Sequence, residues 1–242
     1  GPTIGTFTSS LSGLLPGTVY HVRAYAINAI GTSYGANVSF TTGGSSGTWT
    51  TNGGGSWPTT TNWLNGIDAS GADGIADFGT VSPVSTATVT LDGNRSIGGM
   101  IFGNAGFTGN WVVSPGTGGS LSLDIGISGD PTVTVNGGTA TLATVLTGTD
   151  GLIKAGPGNL VLSSTNLFTG ITAVNAGTLQ LSGSLSNGSP VSIGVSGTLS
   201  GTGTIGAATT VNGTLAPGIG GIGTLAFNNS LTLAGGVSME IN

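Results

Sequence analysis

The chain has 242 residues, a net charge of −5, no cysteine, and charged side chains at only 5% of its positions. Three cations form no basic patch that neutralises phosphates, which excludes nucleic-acid binding, and the missing cysteines exclude disulfides, thiolate catalysis and Cys-bound metal. No run of about 18 apolar residues is present to cross a membrane as a helix.

The 49 glycines are far above the average usage of about 7%, yet they follow no strict triplet period, which excludes collagen. With 37% apolar residues and a positive mean hydropathy of +0.35, the chain is not a solvated disordered polymer either. Good helix formers are scarce, while Thr, Val, Ile, Leu and Ser dominate, the composition of pleated strands. The fold class this implies is all-β. Gly1-Pro2 opens the chain without an initiator Met or a signal peptide and reads as a processing or protease-site boundary; both ends read as cut from something longer.

Residues 1–43 read as three strands, Thr6 to Leu14, Val19 to Ile27 and Tyr34 to Thr42, with turns at Leu15-Pro16-Gly17 and at Asn28 to Thr32. In the middle strand Tyr20, Val22, Ala24 and Ala26 share one face, and His21, Arg23 and Tyr25 share the other, solvated one. The string Leu11-Ser-Gly13-Leu14-Leu-Pro16-Gly17-Thr18-Val-Tyr20 resembles the C-terminal half of a fibronectin type III domain. That resemblance implies a tyrosine corner, with the Tyr20 hydroxyl bonded back to upstream backbone. The family's first four strands have no counterpart here, so the sandwich is partial and its open edges need a cover.

Residues 44–78 read as a Gly/Ser linker followed by a tryptophan-rich cap. Trp49, Trp57 and Trp63 lie within fifteen positions, and they serve either as a sugar-stacking platform for surface glycans or as a plug for an open core end. Asp68, Asp73 and Asp77 read either as a calcium loop or as an ordinary Asp/Gly turn; their spacings of five and four do not match carboxylates at every second residue.

From residue 79 to 242 a Gly-x-apolar marker recurs at Gly79, Gly99, Gly119, Gly138, Gly158, Gly177, Gly197 and Gly213, in steps of 20, 20, 19, 20, 19, 20 and 16. A period near 20 in an all-β sequence predicts a parallel β-helix of eight or nine coils, with three short strands per coil. The right-handed form is expected, because parallel crossovers are almost always of that hand. Alternation places Val89, Leu91, Leu121, Leu123, Val133, Val135, Leu160, Leu162, Leu179 and Leu181 inside, and Tyr20, Gly197 and Leu199 are further structural positions. Thr88, Thr90, Ser120, Ser122, Thr132, Thr134, Val161 and Gln180 point out. Asn136 and Asn175, each two residues before a marker, are placed to stack as an amide ladder.

The stretch from Gly151 to Gly183 closely resembles the autotransporter-associated β-strand repeat. Gly151, Leu152, Lys154, Gly156, Gly158, Leu160, Leu162, Thr169-Gly170 and the segment from Asn175 to Leu179 carry the match. The resemblance implies a scaffold of bacterial passenger domains and exported surface proteins, outside the cell, with no catalytic site and no cofactor to carry over. The alternative is a β-helical polysaccharide lyase or hydrolase, which needs paired carboxylates about 5–9 Å apart. Asp130 and Asp150 sit at like offsets of neighbouring coils, and Asp92 falls near the same corner. His21 is the single histidine, so no Ser/His/Asp set is available in the solenoid. The function expected is therefore structural: a rigid rod of a stalk, adhesin or fibre on the bacterial exterior. It would self-associate head to tail through solenoid ends or the incomplete sandwich.

Overall fold

The computed structural model describes residues 8–15, 18–104, 106–126 and 129–239. Within them the chain is an all-β parallel solenoid of about seven turns, preceded by four short antiparallel strands. A typical coil lays down three strands, one on each of three faces. The coil that starts at Asn159–Leu162 continues through Thr165–Asn166 and Thr172–Val174 before Gly177–Leu181 begins the next. On the first face nine strands stack from Gly54–Ser56 to Gly236–Val237. The second face is narrow, with two-residue strands such as Ser184–Leu185 and Thr204–Ile205. The third face runs from Gly47–Thr48 to Leu231–Leu233. Its strand Arg95–Phe102 is long enough to turn a corner: Arg95 to Ile97 pair with Leu121–Leu123, and Gly99 to Phe102 pair with Thr132–Val135.

Parallel strands buried on their inner side need an apolar residue at every second position. All ten residues expected inside are buried, as is Leu199, and they form one continuous core along the axis. Of those expected outside, Val161 is instead buried, at 8% exposure, because it pairs in register between Thr141 and Gln180 and their side chains cover it.

The period holds in the second half of the rod. Thr141, Val161, Gln180, Ser200 and Ala216 occupy one column, in steps of 20, 19, 20 and 16. Before that the coils are longer: the same column steps from Thr88 to Val112 to Thr141, that is 24 and then 29 residues. Gly79, Gly99 and Gly119 therefore do not stack on one another. Gly99 lies on the third face between Ile75 and Thr132. Their regular spacing is a coincidence that abundant glycine makes easy.

From Gly158 onward the markers do stack, and backbone contact explains the glycine. At Gly177, where φ is +67°, an added Cβ would lie 2.5 Å from the Gly156 carbonyl oxygen and 2.6 Å from that of Gly158. At Gly197 it would lie 2.5 Å from the Val174 oxygen. The coil turns from third face to first at this corner, and only a bare Cα fits over the coil beneath.

Parallel pairing begins before residue 79. Gly47–Thr48 pairs with Ala76 and Asp77, and Gly54–Ser56 pairs with Thr88 to Thr90. Residues 44–78 are thus the first coil, with two short 3-10 turns, Thr60–Asn62 and Leu64–Gly66, where later coils carry the narrow face. The amide ladder is absent. Asn136 donates to the Gly103 carbonyl at 3.2 Å, and the coil of Leu152–Ala155 lies between it and Asn175.

Residues 8–43 differ from the three-strand expectation. Val19–Val22 pairs antiparallel with Val38–Thr41, and Tyr25–Asn28 pairs with Gly31–Tyr34 as a separate hairpin. The first expected strand lies partly outside the described residues, and Ser9 to Leu14 form no strand. Pro16 and Gly17 of the expected turn also lie outside them. The Tyr20 hydroxyl accepts a hydrogen bond from the Leu15 N–H at 2.9 Å, and its ring stacks on Phe40 at 6.0 Å.

Candidate functional site

Trp49, Trp57 and Trp63 are brought together, but inward. They are 0%, 0% and 2% exposed. Trp49 and Trp63 meet edge to face at 5.0 Å, and all three pack around Phe78 at 5.6–5.9 Å. Phe78 in turn stacks on Phe102 at 5.0 Å and touches Trp111 at 5.2 Å. Each of the first three indole N–H groups donates to a carbonyl oxygen: Trp49 to Thr51, Trp57 to Ala69, and Trp63 to Trp57. A sugar needs an exposed ring face. None is available, so the platform reading is replaced by the plug. Phe102 and Trp111 are not legible as partners in the sequence because they lie tens of residues from the tryptophan cluster, and only the stacking of long coils joins them; Phe78 closes the tryptophans' own coil.

The calcium reading also fails on placement. Asp68 pairs with Arg95 at 3.6 Å, Asp73 accepts from the Gly126 N–H at 3.1 Å, and Asp77 accepts from the Gly79 N–H at 2.7 Å. The three carboxylates serve three different turns, and no group of three or more metal-binding side chains forms among the described residues.

The carboxylates weighed as a catalytic pair are turn acceptors. Asp130 accepts from the Gly151 N–H at 2.9 Å and Asp150 from the Ile125 N–H at 2.6 Å. Asp130 and Asp150 do lie on adjacent coils. Asp92 does not share their corner: it follows the first-face strand Thr86–Thr90, whereas they precede the third-face strands Thr132–Val135 and Leu152–Ala155. Asp92 takes hydrogen bonds from the hydroxyls of Ser56 and Thr90 and from the Thr117 N–H. These donors hold its carboxyl well below the usual carboxylate range, the Ser56 hydroxyl most strongly. A general acid for glycoside chemistry requires the opposite shift.

Lys154 is the residue whose placement the sequence reading did not anticipate. It points into the solenoid and is fully buried. Its Nζ donates to the carbonyls of Ala155, Gly156 and Ala176 at 2.8, 2.7 and 3.0 Å, so its three protons tie one corner to the coil above. Burial pushes the ammonium down to about 8. On the antiparallel strands, His21 and Arg23 are exposed: His21 contacts Asn37, and Arg23 lies over the Tyr34 ring at 3.9 Å.

Residues 152–181 match the Passenger-associated-transport-repeat family. The chain is 38% identical over 104 residues to the adhesin BmaC autotransporter of Brucella suis, which covers 43% of this chain and 3% of that protein. It is 47% identical over 81 residues to an extracellular serine protease of Serratia marcescens, covering 33% of this chain and 8% of that protein. The matches thus span less than a tenth of either relative. No solved structure matches the chain. The matched segment holds Lys154, Gly158 and Gly177, and the chain is a parallel β-solenoid that carries a repeat of the autotransporter passenger type.

Proposed function

We propose that this chain is a scaffold segment of a bacterial surface protein: a rigid β-helical spacer within a stalk or adhesin. The observation that carries the reading is the inner column of Leu160, Leu179 and Leu199 over stacked backbone. One relative is an adhesin autotransporter, which fits a spacer role. The antiparallel strands of residues 8–43 are part of this proposal as the last strands of a fibronectin-type module. Their apolar side chains Val22, Val38 and Leu11 are exposed, and self-association is proposed there rather than by stacking solenoid ends, since tryptophans close the first coil.

The test is an in-phase excision in the whole exported protein. Removing residues 159–197 joins Gly158 to Thr198, which occupy successive register positions. A spacer tolerates this: surface display and adhesion persist, and the rod shortens by about 10 Å, two strand spacings. Loss of adhesion with display intact would assign the activity to these coils and overturn the spacer reading.

A further inference from the structure

The third face carries a hollow that neither the repeat nor the spacer role requires. We propose that it binds an amphiphilic cation, an apolar group bearing a primary ammonium. The hollow, about 320 Å³, lies over Gly98 and Gly99, with Ile75, Ile101 and Ile125 among its walls and Thr132 and Thr134 along one side. It exists because the coil is irregular there. The pairing of Gly71–Phe78 with Arg95–Phe102 shifts register between Gly71 and Ile75, and Asp73 in the shifted segment has φ of +64°. The two glycines opposite leave the floor without side chains. At Gly98 none would fit, because a Cβ would lie 2.6 Å from the Asp73 Cα.

Charge selects the occupant. Asp73 lines the hollow and accepts at Oδ1 from the Gly126 N–H; Asp150 accepts at Oδ2 from the Ile125 N–H; Asp124 accepts at Oδ2 from the Ser96 hydroxyl at 3.2 Å. Each keeps its second carboxylate oxygen without a hydrogen-bond partner among the described residues. Of the three, Asp73 lines the hollow itself and Asp150 is bonded to the backbone of its wall residue Ile125, and no cation answers them: Arg95 is paired with Asp68, and Lys154 is buried in the core. An isoleucine-walled hollow of this volume accepts an aromatic or branched aliphatic group, and the Asp73 carboxylate accepts its ammonium. An anion would meet the negative charge of Asp73, and a neutral polar molecule would gain no compensation for leaving water.

The experiment uses 2-phenylethylammonium as the probe, with 2-phenylethanol and 3-phenylpropionate as neutral and anionic controls. It reads backbone amide shifts of the full chain. The expected result is saturable shifts at Ile75, Gly98, Gly99 and Gly126 with the ammonium alone. Asp73→Asn keeps a side chain that tolerates positive φ and can still accept from Gly126, and it should weaken binding by about fivefold, the scale of one exposed charge pair. Thr132→Trp fills the hollow from its side and should abolish the shifts. Asp68→Asn alters net charge equally but away from the hollow, and it should leave binding intact. Equal binding of 2-phenylethanol, shifts confined to other residues, undiminished binding in Thr132→Trp, or no saturable shift up to the solubility limit would each overturn the proposal.

Discussion

At the scale of single residues, Lys154 shows how a charge can be buried without a counter-ion. An unpaired buried ammonium is costly, yet here each of its three protons meets a carbonyl oxygen. The side chains packed in register against it, Val133 and Val174, carry no titratable group. Lys154→Met keeps the length and leaves those buried carbonyls without donors, so we expect a loss of about 1–3 kcal/mol in denaturant unfolding. Its pH dependence has a definite sign. The folded value of about 8 lies below the ordinary value of 10.5, so between them the unfolded chain binds more protons and stability rises with pH. Melts between those two values should show wild type gaining on Lys154→Met as pH increases. A constant difference would mean that the three carbonyls hold the ammonium as firmly as water does. The sequence put Lys154 in the repeat motif but not in the core: alternation alone assigns it inward, and its charge argues the other way until the carbonyls are seen.

At the scale of elements, the legible part of the sequence is the part where coils are alike. Leu160, Leu179 and Leu199 were readable as one column because the loops between them keep nearly constant length, so a marker glycine returns to the same corner. The earlier coils insert loops, such as that between Leu121–Leu123 and Thr132–Val135, and an insertion destroys the period without breaking the stacking. The aromatic plug was half legible for the same reason. Its tryptophans are clustered in sequence, but Phe102 and Trp111 join them, through Phe78, only across long coils. Trp57 is fully buried in this plug, and Trp57→Ala should cost about 3–5 kcal/mol. The loss should be local, because coils of a solenoid are stabilised mainly by their neighbours. Limited proteolysis should therefore cut within residues 47–90 of the variant and spare residues 152–217. Cleavage spread evenly along the rod would show that the first coil instead nucleates the whole structure.

At the scale of the whole molecule, the two halves of the rod differ in kind. Every charged residue described in the solenoid lies at or before Lys154; from there to residue 239 the coils present only uncharged side chains. The first half owes its shape to carboxylates that catch turn amides and to packed rings, the second to repetition. The ends differ as well. The first coil is closed by Trp49, Trp57 and Trp63, whereas the last strands leave Leu233 and Val237 each 46% exposed. In a stacked array, opening begins where a coil has one neighbour and no cover. Amide hydrogen exchange on the 242-residue chain should therefore be fastest in Ala226–Phe227, Leu231–Leu233 and Gly236–Val237, and slowest between residues 139 and 201. The first coil, although also terminal, should resemble the middle, because its aromatic cluster closes the end that an ordinary coil would leave wet. Faster exchange at Gly47–Thr48 and Gly54–Ser56 than at Leu231–Leu233 would show that the plug fills space without holding the coil, and the rod would then fray equally from both ends.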